Sequence, residues 1–251
     1  MSLIVFCGPS LSHAEGRAVV DATFLPPAQQ GDVYRAAREK PTAIGLIDGL
    51  FDQVNAVAHK EILWAMSQGV HVLGGASMGA LRAVELAPFG MEGIGTIFDW
   101  YRSGLLEDDD EVALLHGPAE DGYVPLSEPM VNVRATLAAA QSQGVISGAL
   151  HGSLLALVKE LFYADRSYPL MLARALERGA SKGELDGLRD FIRSHQVNQK
   201  RVDALRLLEV MRDRFSAGVE PKKVRYHFSH TDAWQAIRDR MDTSPPKHRH
   251  V

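Results

Sequence analysis

The chain has 251 residues, of which 46% are hydrophobic and 23% charged, and its formal net charge is −4. This balance is typical of a globular protein with a sizeable core and gives no reason to expect a nucleic-acid partner. A single cysteine, Cys7, excludes an internal disulfide framework and a cysteine-rich zinc site, and it favours a reducing, cytoplasmic location. The first apolar run, Leu3–Cys7, is too short for a signal peptide or a membrane span, so we expect neither.

Short apolar runs alternate with helical patterns through the first ninety residues. The pattern predicts strands at 3–7, 21–24, 42–47 and 70–73, and helices at 32–39, at 54–68 and from the Ser77 turn to Pro88. The helix at 54–68 depends on an apolar stripe that begins at Val54 and on Gly69 as its C-cap. Strands that alternate with helices indicate a parallel sheet. We therefore predict an α/β fold, with a Rossmann-like parallel-sheet N-terminal part and a mostly helical C-terminal part.

The second half of the chain is rich in leucine and arginine and carries helical periodicity. It predicts helices at 128–143, 150–163, 170–178, 182–195 and 200–215. We expect an α/β core at 1–127, a helical region at 128–243 and a flexible tail at 244–251.

Three loops follow predicted strands and are expected to meet at the carboxyl edge of the sheet, where such folds bind ligands. Our candidates for substrate binding are Arg82 in the helix after the third loop and these residues of the three loops: Gly8, Pro9, Ser10, Gly49, Gly75, Met78 and Gly79.

The third loop reads Gly75-x-Ser77-x-Gly79, the spacing of a nucleophile elbow, in which a serine sits on a tight strand-to-helix turn. The N–H of Met78 is then a candidate oxyanion donor, and the helix N-terminus favours an anion. Two other interpretations remain open from the spacing, an anion cradle without covalent chemistry and a purely structural turn.

A nucleophilic serine needs a base, and the first choice is His59, followed by His116. Asp48, at a strand end before Gly49, is either an active-site carboxylate or part of an Asp-Gly turn. Glu61 falls on the apolar helix stripe, so it either pairs with a buried partner such as Arg82 or serves the site.

Three other features have mainly structural interpretations. His71 is expected to be a hydrogen-bonded histidine within a strand, and Cys7 to be inert packing. The acidic run 107–111 is expected to be a solvated face; its clustered oxygen ligands could also hold Mg²⁺, but their spacing matches no metal-binding loop, so we expect no metal.

At these residues the chain resembles the TfuA-like family, whose members are encoded beside YcaO enzymes in peptide-thioamidation clusters. The resemblance rests on blocks that occur in the family's order, and it covers roughly the first half of the chain, to about His116; the helical second half shows none. The blocks are Phe6–Leu11, Pro26–Ala28 with Gly31-Asp32, Ile47–Gly49, His59–Leu63, Gly75–Ala83, Gly90-Met91, and Asp110–Ala113. One departure is Cys7, where an aliphatic residue is expected.

The resemblance implies a sulfur-delivering partner of a YcaO enzyme in ATP-dependent backbone thioamidation of a precursor peptide or protein. The sulfur would come from a thiocarboxylated ThiS-like carrier, which Ser77 would hydrolyse. ATP and Mg²⁺ are expected on the YcaO enzyme, and no cofactor on this chain. A homo-oligomer is one option for its assembly.

Three rival interpretations stay open. The first is a non-catalytic adaptor that binds and activates YcaO and recruits the carrier. The second is a free-standing small-molecule hydrolase, and the third is a nucleotide-binding enzyme, although the chain has no Gly-Lys-Ser/Thr P-loop.

Overall fold

The structure is a computed structural model that describes residues 2–50 and 54–243. The chain divides into two compact units. Unit 1 comprises Met1–Leu105 and Arg201–Val251, and unit 2 comprises Leu106–Lys200. These limits differ from the predicted boundary at residue 127, and the predicted tail at 244–251 lies outside the described residues.

Unit 1 is built on a parallel sheet of five strands. Their order is β2-β1-β3-β4-β5, and every neighbouring pair is parallel. The strands are β1 (Leu3–Phe6), β2 (Thr23–Leu25), β3 (Ala43–Leu46), β4 (His71–Gly75) and β5 (Glu92–Ile94). The predicted α/β class is confirmed.

In the described part of the chain, seven α-helices belong wholly or mainly to unit 1. Five of them connect or follow the strands: α1 (His13–Val19), α2 (Asp32–Arg38), α3 (His59–Ser67), α4 (Met78–Leu86) and α5 (Thr96–Arg102). The other two, α10 (Gln199–Phe215) and α11 (Asp232–Thr243), come from the end of the chain. The sequence pattern did not predict α1, α5 and β5, because all three are short and two of them contain a glycine.

The core of unit 1 includes a helix that the sequence analysis placed in the helical region. Leu207, Leu208 and Met211 of α10 are fully buried in one cluster with Val5 of β1 and Leu73 of β4. The amphipathic pattern of α10 is the same whether it packs on helices or on a sheet, so the pattern could not assign its partner.

The predicted helix at 54–68 is wrong at its start, because α3 begins only at His59. Ala58 is extended (φ −80°, ψ 140°), and its N–H donates to Oε1 of Glu61 at 2.7 Å. The Glu61 side chain thus caps α3, and Val54 is 38% exposed rather than part of a buried stripe.

Unit 2 contains four helices around one core. They are α6 (Met130–Ser142), α7 (Gly148–Lys159), α8 (Tyr168–Glu177) and α9 (Lys182–His195), close to the predicted bounds. Leu137, Leu154, Met171 and Leu188 are fully buried among them. Within the described ranges, no helix combines the length and apolarity needed to cross a membrane.

Candidate functional site

The three predicted loops follow neighbouring strands of the sheet. Because β1, β3 and β4 are adjacent and parallel, the segments after Phe6, Leu46 and Gly75 emerge at the same edge. The order 2-1-3-4-5 also places the topological switch point between β1 and β3, where doubly wound folds bind ligands. The predicted meeting of these loops is therefore present.

Asp48 ties the loop after β3 to the loop after β1. Its Oδ2 accepts from the N–H groups of Gly8 (2.9 Å) and Ser10 (3.0 Å), and its Oδ1 accepts from the Ser10 hydroxyl at 2.6 Å. Asp48 is only 2% exposed. In glycine-rich phosphate-binding loops, backbone N–H groups like these donate to the phosphate, but here they donate to the Asp48 carboxylate. Pro9, between them, has no N–H to donate. This loop is thus an internal anchor, which counts against nucleotide binding here.

Ser77 lies on a strained turn between β4 and α4. Ala76 has a positive φ of 65°, and the N–H of Ser77 donates back to the carbonyl of Gly75 at 2.8 Å. This closes a three-residue turn, and Ser77 itself (φ −124°, ψ −125°) lies outside the regular regions. Left-handed backbone at a non-glycine residue costs about 1–3 kcal/mol and often occurs at functional sites. The tight bend predicted from the spacing is present.

Two glycines let α4 approach the sheet. A Cβ on Gly79 would overlap the carbonyl oxygen of Leu46 and lie 2.6 Å from its carbonyl carbon. A Cβ on Gly75 would lie 2.6 Å from the carbonyl oxygen of Ile94 in β5. These contacts are with backbone, which cannot rotate away, so both positions require glycine to hold the Ser77 turn in place.

The amides at the start of α4 are almost all used internally. Ser77 N–H donates to Gly75, Gly79 N–H to the carbonyl of Ile47 at 3.2 Å, and Ala80 N–H to the carbonyl of Ser77 at 2.9 Å. The N–H of Met78 has no acceptor among the described residues. A phosphate cradle needs several converging amides, whereas an oxyanion donor needs one. Because one amide is open, the geometry favours an oxyanion donor over a phosphate cradle.

The Ser77 side chain has no base beside it in the described part of the chain. Ser77 is 6% exposed, and its Oγ has no hydrogen bond there. His59 instead forms a hydrogen bond through Nε2 to Oε2 of Glu85 at 2.7 Å. Glu85 lies about 12 Å from Ser77 along the axis of α4. His59 is therefore not positioned as the base of Ser77.

Arg82 is also turned away from the Ser77 turn. Its Nε donates to the carbonyl of Val57 at 2.8 Å, and its Nη1 pairs with Glu85 at 2.7 Å. Arg82 thus fastens α4 to the segment before α3, and the structure does not bring it to a substrate position.

Glu61 is fully buried and holds two helix N-termini. Besides capping α3, its Oε2 accepts from the N–H groups of Gly31 (2.9 Å) and Tyr34 (3.2 Å) at the start of α2. Burial raises the pKa of Glu61 to about 7, although these three hydrogen bonds oppose the shift. Its partners are backbone amides rather than Arg82, so the expected pairing with Arg82 is wrong, and Glu61 is a structural residue.

His116 and the acidic run belong to unit 2. His116 contacts the carbonyl of Gly117 through Nδ1 at 2.8 Å and packs edge-on against Tyr123. In the acidic run, Glu111 is 2% exposed and accepts two hydrogen bonds from Arg134, both at 2.8 Å.

The same run continues into a network of ion pairs. Lys159 contacts Asp108 and Glu111 at 3.0 Å each, and it also contacts Asp110, which pairs with the buried Arg166. Burial works against ionisation of Asp110, but its cationic neighbours hold its pKa below the usual range. The expectation of a solvated face holds for the exposed Glu107, Asp108 and Asp109, but it is wrong for the buried Glu111. No cluster suited to a metal occurs among the described residues.

Cys7 has the structural environment that was expected, whereas His71 is hydrogen-bonded at Nε2 but its buried Nδ1 has no hydrogen bond among the described residues. Cys7 is fully buried, and burial, followed by the nearby charge of Asp48, raises the pKa of its thiol far above the ordinary value. His71 is buried in β4, with Nε2 2.9 Å from the carbonyl of Glu220.

Two residues at the carboxyl edge were missed by the sequence analysis. His13, at the start of α1, contacts the carbonyl of Cys7 through Nε2 at 3.2 Å. Asp203 of α10 is 2% exposed and accepts from the N–H of Ile97 at 2.7 Å, capping α5 just after β5. The Ser12-x-x-Glu15 capping box predicts a helix that begins at His13, so this pattern could have located α1 and His13. Nothing in the sequence indicated that Asp203 would accept a hydrogen bond from Ile97.

A known protein family matches the middle of the chain, from the loop after β3 into unit 2. Residues 48–167 match the family model described as TfuA-like protein. This match, over less than half of the chain, supports assignment to the TfuA-like family. The match includes Asp48 and the Ser77 turn, and it extends beyond His116 to residue 167, so the expectation that the resemblance ends near His116 is wrong. The blocks before residue 48 lie outside the match and stay a prediction.

TfuA-like proteins are associated with YcaO-dependent thioamidation, so a link to YcaO enzymes follows at the level of the family. A comparison with curated proteins gives no match.

Proposed function

We propose that this TfuA-like protein supplies sulfur to a YcaO enzyme by hydrolysing a thiocarboxylated ThiS-like carrier at Ser77. The observation that carries the proposal is the pairing of a buried, strained serine with the open N–H of Met78 at the positive end of α4. A carrier with an extended C-terminal thiocarboxylate would bring an anion to this end. ATP, Mg²⁺ and the precursor peptide or protein would bind to the YcaO partner.

The chemistry does not require a histidine. Ser77 Oγ would attack the acyl carbon, and the Met78 N–H would stabilise the developing oxyanion. The thiocarboxylate sulfur cannot leave as a dianion, so the C–S bond breaks as the serine proton moves to sulfur. The products of this step are an acyl ester on Ser77 and HS⁻, with the same total charge as the reactants. Water then cleaves the ester, which regenerates Ser77 and releases the carrier carboxylate and a proton.

The test is sulfide release from the thiocarboxylated carrier by wild-type protein, by Ser77→Ala and by Ser103→Ala. Ser103 is exposed and its hydroxyl donates to the carbonyl of Trp100, so its variant makes the same chemical change away from the Ser77 turn. We expect release by wild type and Ser103→Ala, and a loss of about 100-fold or more in Ser77→Ala with carrier binding retained. Release that survives in Ser77→Ala would refute the nucleophile.

His59→Gln is the second variant in this test. Because His59 is half exposed and bonded to Glu85, we expect it to retain release within about threefold of wild type. A loss as large as that in Ser77→Ala would show that α3 moves His59 to the site when the carrier binds.

A non-catalytic adaptor is the second candidate, and the absence of a base near Ser77 Oγ in the described chain favours it. Wild-type protein that stimulates YcaO-dependent thioamidation but releases no sulfide from the carrier would identify an adaptor.

A further inference from the structure

The segment 221–228 of unit 1, which bends at Arg225 and Tyr226, presents a row of basic side chains. Its residues alternate: Lys222, Val224, Tyr226 and Phe228 are partly buried, whereas Lys223, Arg225 and His227 are exposed. The alternation leaves the basic side chains of Lys223 and Arg225 in solvent while their neighbours pack inward. Neither Lys223 nor Arg225 has an acidic partner among the described residues.

The inward side chains fix this segment to the amino edge of the sheet. Lys222 donates through its N–H to the carbonyl of Gly69 at 2.8 Å and through Nζ to Glu92 at 3.2 Å. Tyr226 donates its hydroxyl to the carbonyl of Leu63 at 2.6 Å. Gly69 precedes β4 and Glu92 begins β5, so the segment lies at the opposite edge from Ser77, about 16 Å away along β4.

A cavity of about 370 Å³ lies beside the basic row. One wall is the turn with Pro88 and Phe89, and the other is formed by Lys222–Tyr226. Phe89 is 45% exposed and meets Tyr226 edge-to-face, with ring centroids 5.9 Å apart. The cavity therefore combines an aromatic surface with two cations that have no counter-ion within residues 2–50 and 54–243.

We propose that this cavity docks an acidic peptide segment of a partner protein. Carboxylates of the segment would pair with Lys223 and Arg225, and one apolar side chain would pack on Phe89 and Tyr226. A small anion alone would gain little here, because both cations are exposed and solvent weakens each pair. The N–H of Gly90 is already bonded to the carbonyl of Ala87, so the turn offers no amide there for a phosphate.

The proposal is independent of the chemistry at Ser77. The docked segment would occupy the amino edge and leave the carboxyl edge accessible, so Ser77→Ala protein should bind the segment as wild type does. Loss of sulfide release and loss of docking are therefore distinguishable results.

The test is fluorescence polarisation with the full chain and a short labelled peptide of alternating glutamates around a central phenylalanine. We expect wild type to bind it, and the double variant Lys223→Glu/Arg225→Glu to bind about tenfold more weakly. Arg189→Glu/Arg193→Glu is the matched control, because these exposed arginines of α9 change the net charge equally. Phe89→Ala should weaken binding of the phenylalanine peptide but not of a peptide with alanine in its place.

Four results would overturn the proposal. The first two are no binding of the peptide by wild type at low salt, and equal affinity of wild type and the Lys223→Glu/Arg225→Glu variant for it. The third is equal affinity of wild type for a peptide with glutamines in place of the glutamates. The fourth is displacement of the peptide by inorganic phosphate at a concentration similar to that of the peptide. If wild type sediments as a dimer and the Lys223→Glu/Arg225→Glu variant as a monomer, the surface binds a second copy of the chain instead.

Discussion

Gly79→Ala tests whether close contact between α4 and the sheet holds the Ser77 turn. The new Cβ would lie 2.6 Å from the carbonyl carbon of Leu46, whereas ordinary contact begins at 3.4 Å. The helix must therefore withdraw by about 1 Å, which breaks the Gly79 N–H bond to Ile47, already 3.2 Å long.

The expected cost follows from these contacts. Overpacking costs about 1–3 kcal/mol and the lost hydrogen bond about 1 kcal/mol, while alanine gains about 1 kcal/mol of helix propensity over glycine. We expect a net loss of about 1–3 kcal/mol in the free energy of unfolding. If Ser77 is the nucleophile, a displacement of this size should also lower sulfide release by about 100-fold.

Urea unfolding and sulfide release measure both effects. The control is Gly152→Ala, since Gly152 lies in α7 with no atom within 4 Å of its added Cβ; it should be up to about 1 kcal/mol more stable and equally active. A Gly79→Ala protein within about 0.5 kcal/mol of wild type would refute the reasoning about close packing. Unchanged release despite the lost stability would separate the packing from the chemistry.

Three further predictions concern buried ionisable groups. The pKa of Glu61 in the folded protein, about 7, exceeds its ordinary value of 4.5. The free energy of unfolding of wild type should therefore fall by about 1–3 kcal/mol as pH rises from about 5 to 8, and Glu61→Gln should flatten this dependence. Equal wild-type stability at both pH values would contradict the prediction. Cys7 should react with a disulfide reagent at least about 100-fold more slowly in native than in unfolded protein, and equal rates would mean that its thiol is accessible. Glu111→Gln should cost about 2–4 kcal/mol of unfolding free energy, because it removes the buried charge that accepts two hydrogen bonds from Arg134 and also pairs with Lys159. The exposed Glu107→Gln should stay within about 0.5 kcal/mol, and equal losses in both variants would contradict a specific stabilising role for the Glu111 network.

The sequence by itself determined the parallel sheet, most helices of the second half and the tight turn at Ser77. These features depend on local patterns: apolar runs of strand length, helical stripes, and glycines at fixed spacing from one serine. The meeting of the loops after β1, β3 and β4 could also be predicted, because parallel strands end at one edge whatever the details of packing.

Only the tertiary structure decided the partners of the polar side chains. Asp48 and Glu61 each had a functional and a structural interpretation, and Arg82 was a candidate for substrate binding; all three are bonded to backbone groups far away in sequence. A carboxylate in an apolar stripe must be satisfied, yet any buried amide can satisfy it, and the sequence does not state which one comes within 3 Å. The packing of α10 on the sheet could not be predicted either. An apolar stripe indicates that one face of a helix is buried, but it does not indicate which element covers that face.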